Sequence, residues 1–221
     1  MLAVALVLPT AFVSTPAVAH APRTLISMAA AEPATFEAAL ETAPKLCEAL
    51  QAGEAPAGLG AFVASSAGAR GFFVHYLTGD EWTCADGEEV PAGLASSLEA
   101  ASAATIEIML MNVVMSAGTS LIHKRAGRDE MVLSSERTCA RASTLVTAMA
   151  PKLPELRESF AALSQAVESE FLVDAGKQPV AVDEWVAFLA RWSYDEEQMQ
   201  LISDTLDGLR PSVLSNDSGA A

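Results

Sequence analysis

The sequence predicts an all-α protein, a single helical-bundle domain of about seven or eight helices. Three observations carry that expectation. Alanine supplies 43 of the 221 residues, within a hydrophobic share of 51% that is only 6% aromatic. Alanine buries little area but is the strongest helix former, which favours closely packed helices over a sheet core. Between breaker residues, apolar side chains recur at three- and four-residue intervals. The one run of strand-forming character, Phe72-Phe73-Val74-His75-Tyr76-Leu77, finds no partner strand in the chain and so reads as helix.

Thr35 to Gln51 carries Phe36, Leu40, Leu46, Cys47 and Leu50 at helical spacing, with Pro44 predicting one kinked helix or two short ones. Gly53 to Gly60 is a linker, and Ala61 to Leu77 is the next helix. Asp80 to Glu89 reads as a solvated acidic connector. It is no calcium loop, because Trp82 and Cys84 fall where an EF-hand needs oxygen ligands. Pro91 to Ala101 predicts a short helix and Ala103 to Arg125 a long one that is apolar on most of its circumference. Its length would span a membrane, but Glu107, Asn112 and the hydroxyls of Thr105, Ser116, Thr119 and Ser120 favour the central helix of a soluble bundle.

Gly127 is a natural stop, and Arg128 to Met149 follows as a helix. Leu156, Phe160, Leu163, Val167 and Phe171 make the next amphipathic stripe, Asp174 to Pro179 a turn, and Val182, Trp185, Leu189 and Trp192 another helix. Ser193 and Glu196 read as a capping box opening the last helix, which Pro211 is expected to end. The domain is thus assigned to residues 29–211, with 212–221 a disordered tail.

The net charge of −15 and a pI near 4.5 repel phosphate backbones, so a nucleic-acid partner is excluded from the expectations. The chain has no G-x-G-x-x-G, no G-x-x-x-x-G-K-[ST] and no G-x-S-x-G. His75 and His123 lack metal-type neighbours, and the three cysteines have no metal-type spacing. Cys47 and Cys139 read as small buried side chains and Cys84 as the more exposed one, which leaves catalysis without an anchor. The expectation is a protein that is not an enzyme.

One constellation stands out in the long helix. Thr105, Asn112, Ser116, Thr119 and His123 fall within one narrow arc at roughly 100° per residue, a polar seam on an apolar rod. Interhelical hydrogen bonds that fix register explain it most simply. The functional reading is a wall for a bound ligand or pigment, with His123 or His75 available to it. His123, Lys124, Arg125 and Arg128 form a basic spot that complements the helix C-terminus, or meets an anionic headgroup or acidic partner. Met109, Met111 and Met115 either fill core gaps or make an adaptable binding surface. Trp82, Trp185 and Trp192 are the aromatic candidates for anchors in a partner interface.

The N-terminus adds an address. MLAVALVLPTAFVSTPAVA is an apolar run ending in Ala17-Val18-Ala19, the form signal peptidase accepts, and His20 to Ala31 then carries Arg23 and no acid. A signal-like run followed by an acid-free run resembles the bipartite plastid presequence of algae with red-lineage secondary plastids, here over residues 1–28. No second apolar signal follows Ser27, which implies the stromal side. The alternative is secretion, with Asn216-Asp217-Ser218 as a formal glycosylation sequon.

With that leader, the alanine-rich helical body and the segment from Gly71 to Arg125 resemble the soluble linker subunits of photosystem I–antenna supercomplexes in cryptophyte and haptophyte algae. The resemblance implies a plastid protein at the thylakoid surface whose partners are the photosystem I core and chlorophyll-binding antenna proteins. It allows a chlorophyll or carotenoid at an interface. The antenna proteins themselves differ: Glu107 is followed by Ile-Met-Leu-Met-Asn-Val, with no arginine to complete their paired chlorophyll-ligand motif. The other expectation is a soluble plastid carrier or enzyme for a tetrapyrrole or lipid, using the seam and its methionines.

Overall fold

A computed structural model describes residue 33, residues 35–170 and residues 180–215. The presequence assigned to residues 1–28, the turn from Asp174 to Pro179 and the sequon at Asn216 lie outside the described residues.

Nine α-helices occur among the described residues, and no strand. They are α1 (Phe36–Gln51), α2 (Leu59–Ala64), α3 (Ser66–Thr78), α4 (Ala92–Leu98), α5 (Ala103–Arg125), α6 (Asp129–Met149), α7 (Pro154–Glu170), α8 (Val180–Trp192) and α9 (Glu196–Leu214). A 3-10 turn, Thr83–Ala85, interrupts the acidic connector. The all-α class is as the sequence predicts. Pro44 sits inside one continuous α1.

The region read as one helix from Ala61 to Leu77 is two. Ser65 is extended and caps α3, its hydroxyl accepting from the Gly68 N–H at 3.0 Å. Gly68 also passes so close to the Phe62 carbonyl that a Cβ there would lie 1.8 Å from its oxygen. At the other end of the chain the expected Ser193 cap is displaced. Ser193 is left-handed at φ 49°, and Asp195, extended at φ −80°, takes the cap instead. Asp195 Oδ1 accepts from the Gln198 N–H at 3.0 Å, and Gln198 Oε1 accepts from the Asp195 N–H at 3.1 Å, a reciprocal capping box. Nor does Pro211 end α9, which runs on to Leu214 because Val213 is buried and anchors the final turn.

α5 is the central rod, packed most extensively on α6 and touched also by α3, α7 and α9, while α1 lies along α3 and α7 along α8. It is also the one helix among the described residues long and apolar enough to cross a membrane, yet 67% of its most apolar window is buried within the protein. The core runs through Leu50, Phe62, Phe72, Leu110, Phe160 and Ile202. α1 and α3 approach closely at Gly71, where a Cβ would stand 2.5 Å from that of Ala39.

The acidic connector is more than a solvated link. Trp82 and Ala85 are buried, and Arg141 of α6, only 2% exposed, reaches in to organise it. Nε donates to Asp86 Oδ1 at 2.6 Å, Nη1 to the carbonyls of Tyr76, Leu77 and Gly79, and Nη2 to that of Trp82. One guanidinium therefore satisfies the open carbonyl end of α3 and the loop beyond it. Arg137 pairs with Asp80, and Gln51 bonds both Thr83 and the Cys84 N–H.

Candidate functional site

The polar seam of α5 is mostly structural. Thr105 is fully buried, and its hydroxyl donates to the Val63 carbonyl at 2.6 Å, tying α5 to the end of α2. Ser116 is buried and turns back onto the Asn112 and Val113 carbonyls. Thr119 is half-buried. Asn112 is half-buried, its amide donating to the Ile108 carbonyl at 2.7 Å. His123 is half-buried, with Nδ1 enclosed and unpartnered. His75 is half-buried on α3, outside the seam.

The basic spot divides. Arg125 bridges to Asp195 and Glu197, both at 2.5 Å, and so locks α5 to the start of α9. Its partner Asp195 is held down to about 2, chiefly by that guanidinium and then by the Gln198 N–H. Lys124 and Arg128 are exposed. Of the three tryptophans, Trp82 is buried in the connector and Trp185 in the core, edge-on to Phe188 at 5.5 Å. Trp192 is 48% exposed.

Trp192 marks what the sequence pattern does not single out. Along the outward side of α5, roughly a quarter turn from the seam, a trough is open to solvent. Its floor is Ile108, Met111, Asn112 and Met115; one wall is Phe36 of α1 with Arg70 and Val74 of α3, and Trp192 and Arg191 of α8 stand opposite. This part has a volume of about 480 Å³. Beyond Arg191 and Met111 it continues into a hollow of about 620 Å³ between α5, α7 and α8. Trp185 and Phe188 line that second part, with Glu107, Glu155, Glu158 and Glu184 at its edge. Of the seam, Asn112 alone shares this wall; neither His75 nor His123 lines either part.

Arg70 lies over the Phe36 ring at 5.0 Å, holding one end of the trough open with a cation–π contact. Val74 is 43% exposed, and Ile122, 50% exposed, extends the Met111–Met115 line along α5. Soft methionines between aromatic walls form a surface that can repack around an apolar partner.

Redox and metal chemistry find no ready site in the described residues. No group of three or more His, Cys, Asp or Glu could hold a metal ion there. Burial pushes the Cys47 thiol up to about 12, and burial also raises Cys84 and Cys139, so none is poised as a thiolate nucleophile. Arg70, Arg141, Arg191 and the three glutamates of α7 and α8 went unmarked in the sequence. Arg141 gathers the connector, and the others line the two parts of the trough, only through tertiary packing, and no short-range spacing announces them.

No curated protein and no solved structure matches the chain. Residues 35–209, most of the described fold and both parts of the trough, match the family described as "Uncharacterised conserved protein UCP020893". The chain belongs to that family.

Proposed function

We propose that the protein is a non-catalytic docking subunit, linking chlorophyll-binding antenna proteins to photosystem I on the stromal side of the thylakoid. The observation that carries the docking role is the trough, an open apolar face along a helix that is otherwise mostly buried. Trp192 and Val74 at its rim and Met111 and Met115 on its floor have the character of interface anchors. The photosynthetic partner and the plastid address rest on the resemblance of residues 1–28 to a bipartite presequence. An acidic protein of this kind meets a thylakoid complex through protein contacts more readily than through anionic lipid.

Fractionation of mildly solubilised thylakoids on a sucrose gradient, with mass spectrometry of the photosystem I band, tests this. Stoichiometric peptides from the helical domain in that band, with none from residues 1–23, support it. Recovery only in the soluble stroma, or secretion with a glycan on Asn216, overturns it.

One observation favours a second reading, a plastid carrier for a tetrapyrrole or lipid. The two parts of the trough have the volume of small-ligand sites, with Asn112 as a polar contact on a methionine floor. A shifted visible band on adding a tetrapyrrole to the purified chain, lost in Met111→Asp, would support it; an unshifted spectrum would dispose of it.

A further inference from the structure

The trough is charged unevenly, and this unevenness specifies what it takes. Glu107, Glu155, Glu158 and Glu184 are all exposed around the wider part, and no ion pair engages any of them among the described residues. The narrower part tips the other way: Arg70 belongs to it alone, and Arg191 and Glu107, which line both parts, stand at the junction; neither arginine enters an ion pair among the described residues. Elsewhere Arg125, Arg137, Arg141 and Arg210 each hold a carboxylate, while Arg128 and Arg157, like the trough arginines, enter no ion pair among the described residues. Four carboxylates against the single Arg191 leave the wider part net negative around an apolar floor, which favours a cationic occupant.

We infer that the wider part of the trough binds a basic amphipathic helix of a partner protein, its apolar face on Met111 and the edges of Trp185 and Phe188 and its Lys or Arg side chains on the glutamates of α7 and α8. The inference rests on the docking role proposed above and gives its partner a chemistry. A helix fits because the floor is itself a helix between two helical walls, and such a groove reads anchors one turn apart. Arg70 sets direction, with Arg191 at the junction: the basic end of the segment lies toward α7, and its other end carries a carboxylate or the helix C-terminus toward α3. The surrounding charge of −15 attracts such a segment at long range, while the apolar floor and the local pattern give it a place.

The test uses the full-length chain and two probes, a helical leucine–lysine peptide and its leucine–glutamate counterpart, with tryptophan emission and calorimetry as readouts. The leucine–lysine peptide is expected to bind and the leucine–glutamate peptide to bind at least about tenfold more weakly. Neutralising Glu155→Gln, Glu158→Gln and Glu184→Gln together should weaken the lysine peptide by about tenfold or more. The equally charged control, Glu88→Gln with Glu89→Gln and Glu130→Gln, should leave binding within about twofold. Met111→Asp should weaken binding by disrupting the floor. Equal losses in the two triple variants would reduce the effect to bulk charge and overturn the inference, as would equal affinity for both peptides or binding indifferent to Met111→Asp. Co-migration with photosystem I that survives the Glu155/Glu158/Glu184 neutralisation would sink the basic-helix inference and leave the docking role standing. Peptide binding by a chain found only in the stroma would do the reverse.

Discussion

Arg141 and Asp86 meet at 2.6 Å, with the guanidinium buried and the carboxylate at the surface. The asymmetry shows which partner does the structural work. Asp86 neutralises a charge that four carbonyls already hold in place, and that charge closes the end of α3 and the connector beyond it. Arg141→Met should therefore destabilise the fold by about 3–5 kcal/mol, because it strands buried carbonyls that water cannot reach. Thermal unfolding should fall by on the order of 10 °C. Arg141→Lys should recover little, since an ammonium cannot fan out to five acceptors. A melt within a degree or two of the parent would show that the connector does not depend on this residue.

Asp86 and Asp195 set an acid limit. Each is held below the ordinary carboxylate range, Asp86 chiefly by the hydrogen bond from Arg141 and Asp195, at about 2, chiefly by that from Arg125. A carboxyl whose folded value is depressed stabilises fully above its unfolded value, near 4, and that contribution is lost as pH falls through the folded value. Asp195→Asn keeps a capping side chain but removes the charge. Its melting temperature should lie below the parent's at pH 6, and the gap should close as pH drops from about 4 to about 2. A gap that persists unchanged at pH 2 would mean the charge at Asp195 contributes nothing.

Two glycines offer opposite outcomes from the same substitution. In α3, Gly71→Ala places a methyl 2.5 Å from the Ala39 Cβ and 2.9 Å from its carbonyl carbon, so α1 must move. Overpacking of about 1–3 kcal/mol should exceed the helix-propensity gain of about 1 kcal/mol, and stability should fall. In α9, Gly208 is exposed, a Cβ there would meet nothing within 4 Å, and Gly208→Ala should stabilise by about 0.5–1 kcal/mol. Urea midpoints for the pair decide it; matching signs would contradict the close α1–α3 approach.

The thiols should be inert in the folded chain. Burial holds Cys47 at about 12 and raises Cys84 and Cys139, against about 8.5 for a free thiol. At pH 8, iodoacetamide should leave intact-mass spectra of the native protein unlabelled over a time in which the guanidinium-unfolded chain takes up three adducts. Rapid labelling of Cys47 in the native state would refute its burial.

The helices were legible because their apolar periods and their breakers are local. What escaped depends on contacts between distant segments. Nothing between Ala61 and Leu77 forbids a single helix; the division at Ser65 comes with the close approach of Gly68 to Phe62. Around the last helix, Ser193-x-x-Glu196 and Asp195-x-x-Gln198 are overlapping capping signals, and the left-handed backbone at Ser193 decides between them. The arc of Thr105, Asn112, Ser116, Thr119 and His123 was correctly placed along α5, but α2 covers its start, and the open side of the helix lies beside it. Arg141 carried no signal at all: it sits among small and polar residues, and its partners lie more than fifty positions earlier. The glutamates of α7 and α8 read as ordinary solvated faces until packing sets them around one hollow.

Docking through the trough is tested most directly by photo-crosslinking in isolated thylakoids. A benzophenone amino acid at Met115, on the trough floor, should crosslink to a photosystem I core subunit or a chlorophyll-binding antenna protein. The same group at Leu133, exposed on α6 away from the trough, should give none. Crosslinks of equal yield from both positions, or none from Met115, would contradict docking by this face.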